Sequence, residues 1–176
     1  MPKKVQRRIG RPAGQVFLGI DPGKGGGLAT ITQGGSVISY DPMPPSILDL
    51  WKLVATMKGV FFCSLERVWA MPPQGRKQGA TSMFTFGQNF GHVQMALTAA
   101  GISFHEPTPR DWQKHHGIAS KKKTETPAQF KERIRIKAQK MFPRLHVWEE
   151  TLGRQRAVCD ALLIAQYCRQ TQEIPF

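Results

Sequence analysis

Acidic side chains are scarce in this chain: 12 Asp and Glu face 25 Lys and Arg in 176 residues, a formal net charge of +13. Such an excess attracts polyanions and gains from counterion release when phosphates are neutralised. Nucleic acid is the leading partner, and an anionic membrane surface is the rival. Long apolar runs are missing too. None reaches the ~18 residues of a spanning helix, and no signal-peptide core is present, so no membrane partner is expected. Cysteine is limited to Cys63, Cys159 and Cys168, with no Cys-x-x-Cys pair, which argues against a structural zinc site. Buried free thiols in a reducing compartment follow, hence a cytoplasmic location, with an organellar one left open.

Several familiar chemistries are absent. Gly19 and Gly23 are separated by three residues and Gly follows Lys24, so the Gly-rich stretch is not a phosphate-binding P-loop. There is no Gly-x-Ser-x-Gly element and no persuasive Cys/His pair. The five histidines, His92, His105, His115, His116 and His146, have no metal-binding spacing. His115 or His116 could assist proton transfer, though packing is the commoner role.

What is present has a clear order. Residues 1–14 hold Lys3, Lys4, Arg7, Arg8 and Arg11 and no acid, a composition for a basic flexible arm, on DNA or as a solubilising or targeting tail. Residues 15–176 read as one domain. Three short runs, 16–20, 28–32 and 36–40, read as antiparallel strands, the last two joined at Gly34-Gly35. Helical spacing over 47–57 precedes a buried strand over 60–65. A helix capped by Thr81 or Ser82 runs to about Ala100, followed by a strand over 102–105. Thr108-Pro109 opens a short helix, and further helices are expected over 127–141 and 156–169. The fold class is therefore α/β, a mixed sheet flanked by helices.

Few as they are, the acids are placed suggestively. Asp21 follows a buried strand in a Gly/Pro turn, Glu66 ends a second strand, and Asp160 opens the apolar face of the last helix. Carboxylates beside apolar runs are costly unless something positive neutralises them. Basic side chains could do so, and so could Mg²⁺ or Mn²⁺, whose bound water can attack phosphorus while a second ion stabilises the leaving oxygen. Each acid alone is better explained as a turn cap or a lysine partner. Three together favour a metal site.

Phe17-Leu18-Gly19-Ile20-Asp21-Pro22-Gly23 resembles the opening strand of the RuvC-like Holliday-junction resolvases, which carries the first catalytic Asp. Leu65-Glu66 is similar to the second acid of that family. Ser82, Gly87-Gln88 and Gly91 match its helix signature, and Asp160-Ala161-Leu162-x-Ile164-Ala165 resembles its closing helix. Thr108-Pro109-x-x-Trp112-x-Lys114 is similar to the phage and organellar branches. The resemblance spans about residues 16–168.

It implies a ribonuclease H-like fold and a crossover-junction endonuclease. Asp21, Glu66 and Asp160 would be both catalytic residues and ligands for two Mg²⁺ or Mn²⁺ ions. Symmetric cutting of a four-way DNA junction needs two active sites, hence a homodimer, and the resemblance places its contact on helix 81–100. The family adds an acid or His three to five residues before its last acid, but Ala157, Arg156 and Gln155 stand there. Glu149 and Glu150 are the nearest acids, so the fourth ligand is one of these or none.

The DNA-facing candidates are Lys24 beside Asp21, Arg76 and Lys77 in the glycine-rich loop after Glu66, and Lys114 with Lys121, Lys122 and Lys123. Lysines in the latter region aid catalysis in the family. Glycines beside Asp21 would let the DNA backbone approach. Phe84 and Phe86 are the candidates for a base wedge, although such aromatics are more often core or dimer contacts. Lys131, Arg133, Arg135, Lys137 and Lys140 could extend the footprint, or be a solvated helix face. Two rivals stand beside the resolvase: another ribonuclease H-fold nuclease, on branched DNA or RNA–DNA hybrids, and a non-catalytic junction binder.

Overall fold

The computed structural model describes residues 14–57, 59–67 and 80–172. Five strands form one mixed sheet in the order β3-β2-β1-β4-β5. Strands β1 (Val16–Asp21), β2 (Gly27–Thr32) and β3 (Val37–Pro42) make an antiparallel meander. The hairpin expected at Gly34-Gly35 is there, with Gly35 at φ 84°, a conformation that glycine adopts without strain. Helix α1 (Ile47–Ala55) then crosses over to β4 (Val60–Leu65), which pairs parallel with the other side of β1. Helix α2 (Ala80–Ala99) leads to a two-residue strand β5 (Phe104–His105), parallel to β4.

The remaining helices are α3 (Pro109–His115), α4 (Pro127–Met141) and α5 (Leu152–Thr171). Capping boxes at Thr108 and Thr126, each followed by Pro, start α3 and α4 as their sequences require. Two boundaries differ from expectation. Helix α5 begins at Leu152, four residues early, because the Thr151 side chain accepts from the Arg154 N–H and caps it there. Helix α2 begins at Ala80, so Thr81 and Ser82 lie inside it rather than capping it.

The sheet is covered on both faces. Leu18, Ile20, Leu28, Cys63 and Leu65 pack with Leu50 and Val54 of α1 and Val93 and Leu97 of α2. On the other face, Phe17, Ala29 and Ile31 meet Val158, Ala161, Leu162 and Ala165 of α5. Alternation along β1 sends successive side chains to opposite cores, which is why the strand reads as a continuous apolar run. A third cluster joins α3, α4 and α5 through Trp112, Ile134, Leu163 and Ile164. The three cysteines are free and buried, as their apolar neighbours suggested. No helix among the described residues is long and apolar enough to cross a membrane.

Candidate active site

Asp21 is the last residue of β1, and Glu66 directly follows β4. The Glu66 N–H donates to the Ile20 carbonyl at 2.9 Å, extending the parallel ladder one step. The two acids therefore stand side by side at the carboxyl end of adjacent parallel strands. Asp160 arrives from above. A Cβ on Gly19 would lie 2.1 Å from the Ala165 nitrogen and 2.4 Å from the Ala161 oxygen, and one on Gly27 would lie 2.6 Å from the Ala157 oxygen. Helix α5 thus rests its backbone directly on β1 and β2. Asp160, between those contacts and only 3% exposed, is brought towards Asp21.

The turn after Asp21 is shaped around its carboxylate. Oδ1 accepts from the Gly23 N–H at 3.0 Å, and a Cβ on Gly26 would lie 2.5 Å from the carboxylate carbon. Glycine at 26 makes room for Asp21 itself, not for an approaching DNA backbone. Gly25 is the one that opens onto free space, with nothing within 4 Å.

Charge is concentrated and poorly compensated here. Burial, and then the neighbouring Asp160, push the Asp21 carboxyl above its ordinary range, against the Gly23 N–H. Glu66 is pushed up to about 8 by burial, then by Asp21 and Asp160. The opposing donor is the indole of Trp112, whose Nε1 reaches Glu66 Oε1 at 2.9 Å. Asp160 takes a different partner: Lys131 Nζ of α4 hydrogen-bonds its Oδ2. Burial works against the charge of Lys131, but Asp160 outweighs it and holds the ammonium above its ordinary pKa. Adjacent carboxyls that resist ionisation are an arrangement a cation would relieve.

As arranged, no three His, Cys, Asp or Glu side chains among the described residues are placed to hold a metal ion. The donor chemistry nonetheless suits a hard divalent cation at Asp21 and Glu66, whose carboxyls lie within hydrogen-bond reach of each other and accept from the Gly23 N–H and the Trp112 indole. Asp160 is the acid already engaged, by Lys131. None of the fourth-ligand candidates reaches it. Glu149 pairs with His146 at 2.8 Å in an exposed 3-10 turn, and Glu150 pairs with Arg154. Gln155 accepts from Arg135 at 2.9 Å and donates to the carbonyls of Trp148 and Glu150 at 3.1 and 2.9 Å.

Lys24 is exposed in the turn after Asp21, and Lys114 is exposed on α3 two residues beyond Trp112. Lys121, Lys122 and Lys123 form an exposed connector, where Lys121 Nζ donates to the Glu125 carbonyl at 2.8 Å. Arg76, Lys77 and most of the basic arm lie outside the described residues. Phe84 and Phe86 are 67% and 39% exposed, so they are not core. His116 is buried, and its Nε2 donates to the Leu163 carbonyl at 2.8 Å. Arg133 and Arg135 are tied to Glu125 and Glu132 by 2.6 Å bonds, so neither is a free solvated charge.

Neither Trp112 nor Lys131 was expected at the acidic site, although Lys131 was a candidate for the DNA footprint. Trp112 stood inside the Thr-Pro-x-x-Trp block, and a fully buried indole needs a hydrogen-bond acceptor. Lys131 stood among five similar cations on one helix. Only the crossing of α4 and α5 singles it out.

No protein-family model matches the chain, and neither does any curated protein sequence. Solved structures do. Thermus thermophilus RuvC in complex with a Holliday junction substrate superposes with a TM-score of 0.61 at 15% identity, covering 92% of this chain and 99% of that one. A second Thermus thermophilus RuvC structure gives 0.60 at 17% identity, over 92% and 100% of the two chains. The chain has the RuvC fold. The mixed five-stranded sheet flanked by helices is thus the ribonuclease H-like architecture expected of it.

Proposed function

We propose that the protein is a divalent-metal-dependent endonuclease that resolves four-way DNA junctions. The carrying observation is that three carboxylates far apart in the sequence, from β1, β4 and α5, converge at one end of the central strands. The RuvC fold, a solved RuvC bound to a Holliday junction and the net charge of +13 all support the same reading. The residue motifs favour the phage and organellar branch of the family.

In this reading Asp21 and Glu66 hold Mg²⁺ or Mn²⁺, with Asp160 completing the acidic set. The bound ion supplies a water of lowered pKa and neutralises charge on the phosphate. Trp112 fixes the Glu66 rotamer by its 2.9 Å bond, and Gly23 does the same for Asp21. Lys24, Lys114, Lys121, Lys122 and Lys123, with Arg76 and Lys77, grip backbone phosphates and set the register of the DNA. Two symmetric cuts require two copies of the site. Exposed Phe84, Phe86 and Met95 on α2 suit a homodimer contact, with Phe84 or Phe86 free to act as the base wedge.

A non-catalytic junction binder is the second reading, favoured by the Lys131 bond that occupies Asp160. Cleavage of four-way, three-way, linear and RNA–DNA hybrid substrates with Mg²⁺ or Mn²⁺ separates the alternatives. Cutting confined to the four-way junction, lost in Asp21→Asn while junction binding survives, is the expected result. Equal cutting by Asp21→Asn sinks the active-site assignment. Binding without any metal-dependent nicking supports the non-catalytic reading.

A further inference from the structure

The residues three to five positions before Asp160 on its own helix, Ala157, Arg156 and Gln155, are all unsuited to a cation. Ala157 is buried where its carbonyl abuts Gly27, and has no donor to offer. Gln155 has its amide oxygen and nitrogen engaged by Arg135, Trp148 and Glu150. Arg156, four residues before Asp160, shares its helix face and brings positive charge instead of negative. Its guanidinium lies 3.8 Å from Glu132, the neighbour of Lys131, and its buried Nε has no hydrogen-bond partner among the described residues. Lys131 of α4 thus hydrogen-bonds Asp160, while Arg156, one helical turn before Asp160 on α5, pairs with Glu132.

Resting on the metal-dependent reading above, we infer that the site takes one divalent cation rather than two. Asp21 and Glu66 hold it. The Lys131 ammonium supplies fixed positive charge on the Asp160 side, where a second ion would otherwise sit, and Arg156, Gln155 and Ala157 leave that side without a further acid. Asp160 then has a positioning role: it anchors Lys131 beside the reacting phosphate instead of ligating metal. A monovalent side chain needs no concentration threshold to be present, whereas a divalent ion brought next to that ammonium would be repelled.

The test is a Mn²⁺ titration of the full chain without DNA, with free ion followed by electron paramagnetic resonance. One ion per chain is expected. Asp21→Asn should weaken it by about tenfold or more, as loss of a ligand does, and Asp160→Asn by less than about threefold. The double variant Lys131→Met with Arg156→Asp, checked for folding by circular dichroism, should acquire a second ion. Two ions on the wild-type chain overturn the inference and leave the nuclease reading intact. So does an Asp160→Asn loss equal to that of Asp21→Asn, or a folded double variant still holding one. No ion bound, together with no metal-dependent cutting, overturns the nuclease reading as well.

Discussion

The Trp112 indole donates to Glu66 Oε1 at 2.9 Å, tying helix α3 to the end of strand β4. This bond favours the charged form of Glu66 against burial and the neighbouring acids. Trp112→Phe keeps most of the packing and removes the donor. Metal-dependent cleavage should fall about tenfold, the usual scale for a group that orients a ligand. The pH–rate profile should also shift upward, which simple loss of packing would not do. An unshifted profile removes the orienting role.

Glu66 is raised from 4.5 to about 8 in the folded chain. The unfolded chain releases this proton first as pH rises, so the group favours the folded state at low pH. That contribution declines from about pH 4.5 and is gone above about pH 8. The metal-free protein should therefore lose stability across this window, and Mn²⁺ should restore it at the upper end. Urea denaturation at pH 5 and pH 8, with and without Mn²⁺, reads the effect. A metal-free stability that rises over the window contradicts it.

His116 is lowered from 6.5 to about 4, chiefly by burial, against its bond to the Leu163 carbonyl. Here the unfolded state binds the extra proton between those values, so stability falls as the medium is acidified from about pH 6.5 to 4. Allowing for solvent screening, the loss is about 2 kcal/mol. His116→Gln should flatten this part of the stability curve, as measured by thermal melts over the same range. An acid limb as steep as that of the wild type assigns the effect to other groups.

Gly19 carries the helix–strand contact that brings Asp160 to the site. Gly19→Ala places a methyl 2.1 Å from a backbone nitrogen that no rotamer change can move. The expected cost is about 3 kcal/mol of stability, with cleavage falling further than stability does as α5 is lifted. Gly25→Ala meets nothing within 4 Å and serves as the control. Equal stability of the two variants would mean that the helix re-seats without cost.

Much of the architecture was legible in the chain because its signals are local. The Gly34-Gly35 turn, the Thr-Pro caps at 108 and 126, and the apolar runs of β1 and β4 specify elements through nearest-neighbour chemistry. The start of α5 was misplaced because Thr151 precedes a polar first turn with no apolar periodicity. Asp21, Glu66 and Asp160 stood out because acids are rare here and each borders an apolar run. By itself, then, the sequence determined the strand and helix order, the basic character and the three acids. It did not determine how those acids are shared. Lys131 looks like any lysine on a charged helix, and Trp112 like a core aromatic. Their bonds to Asp160 and Glu66 cross 29 and 46 residues of chain. Such bonds depend on how α3, α4 and α5 pack together over the sheet, a long-range balance of burial and charge that no local pattern encodes.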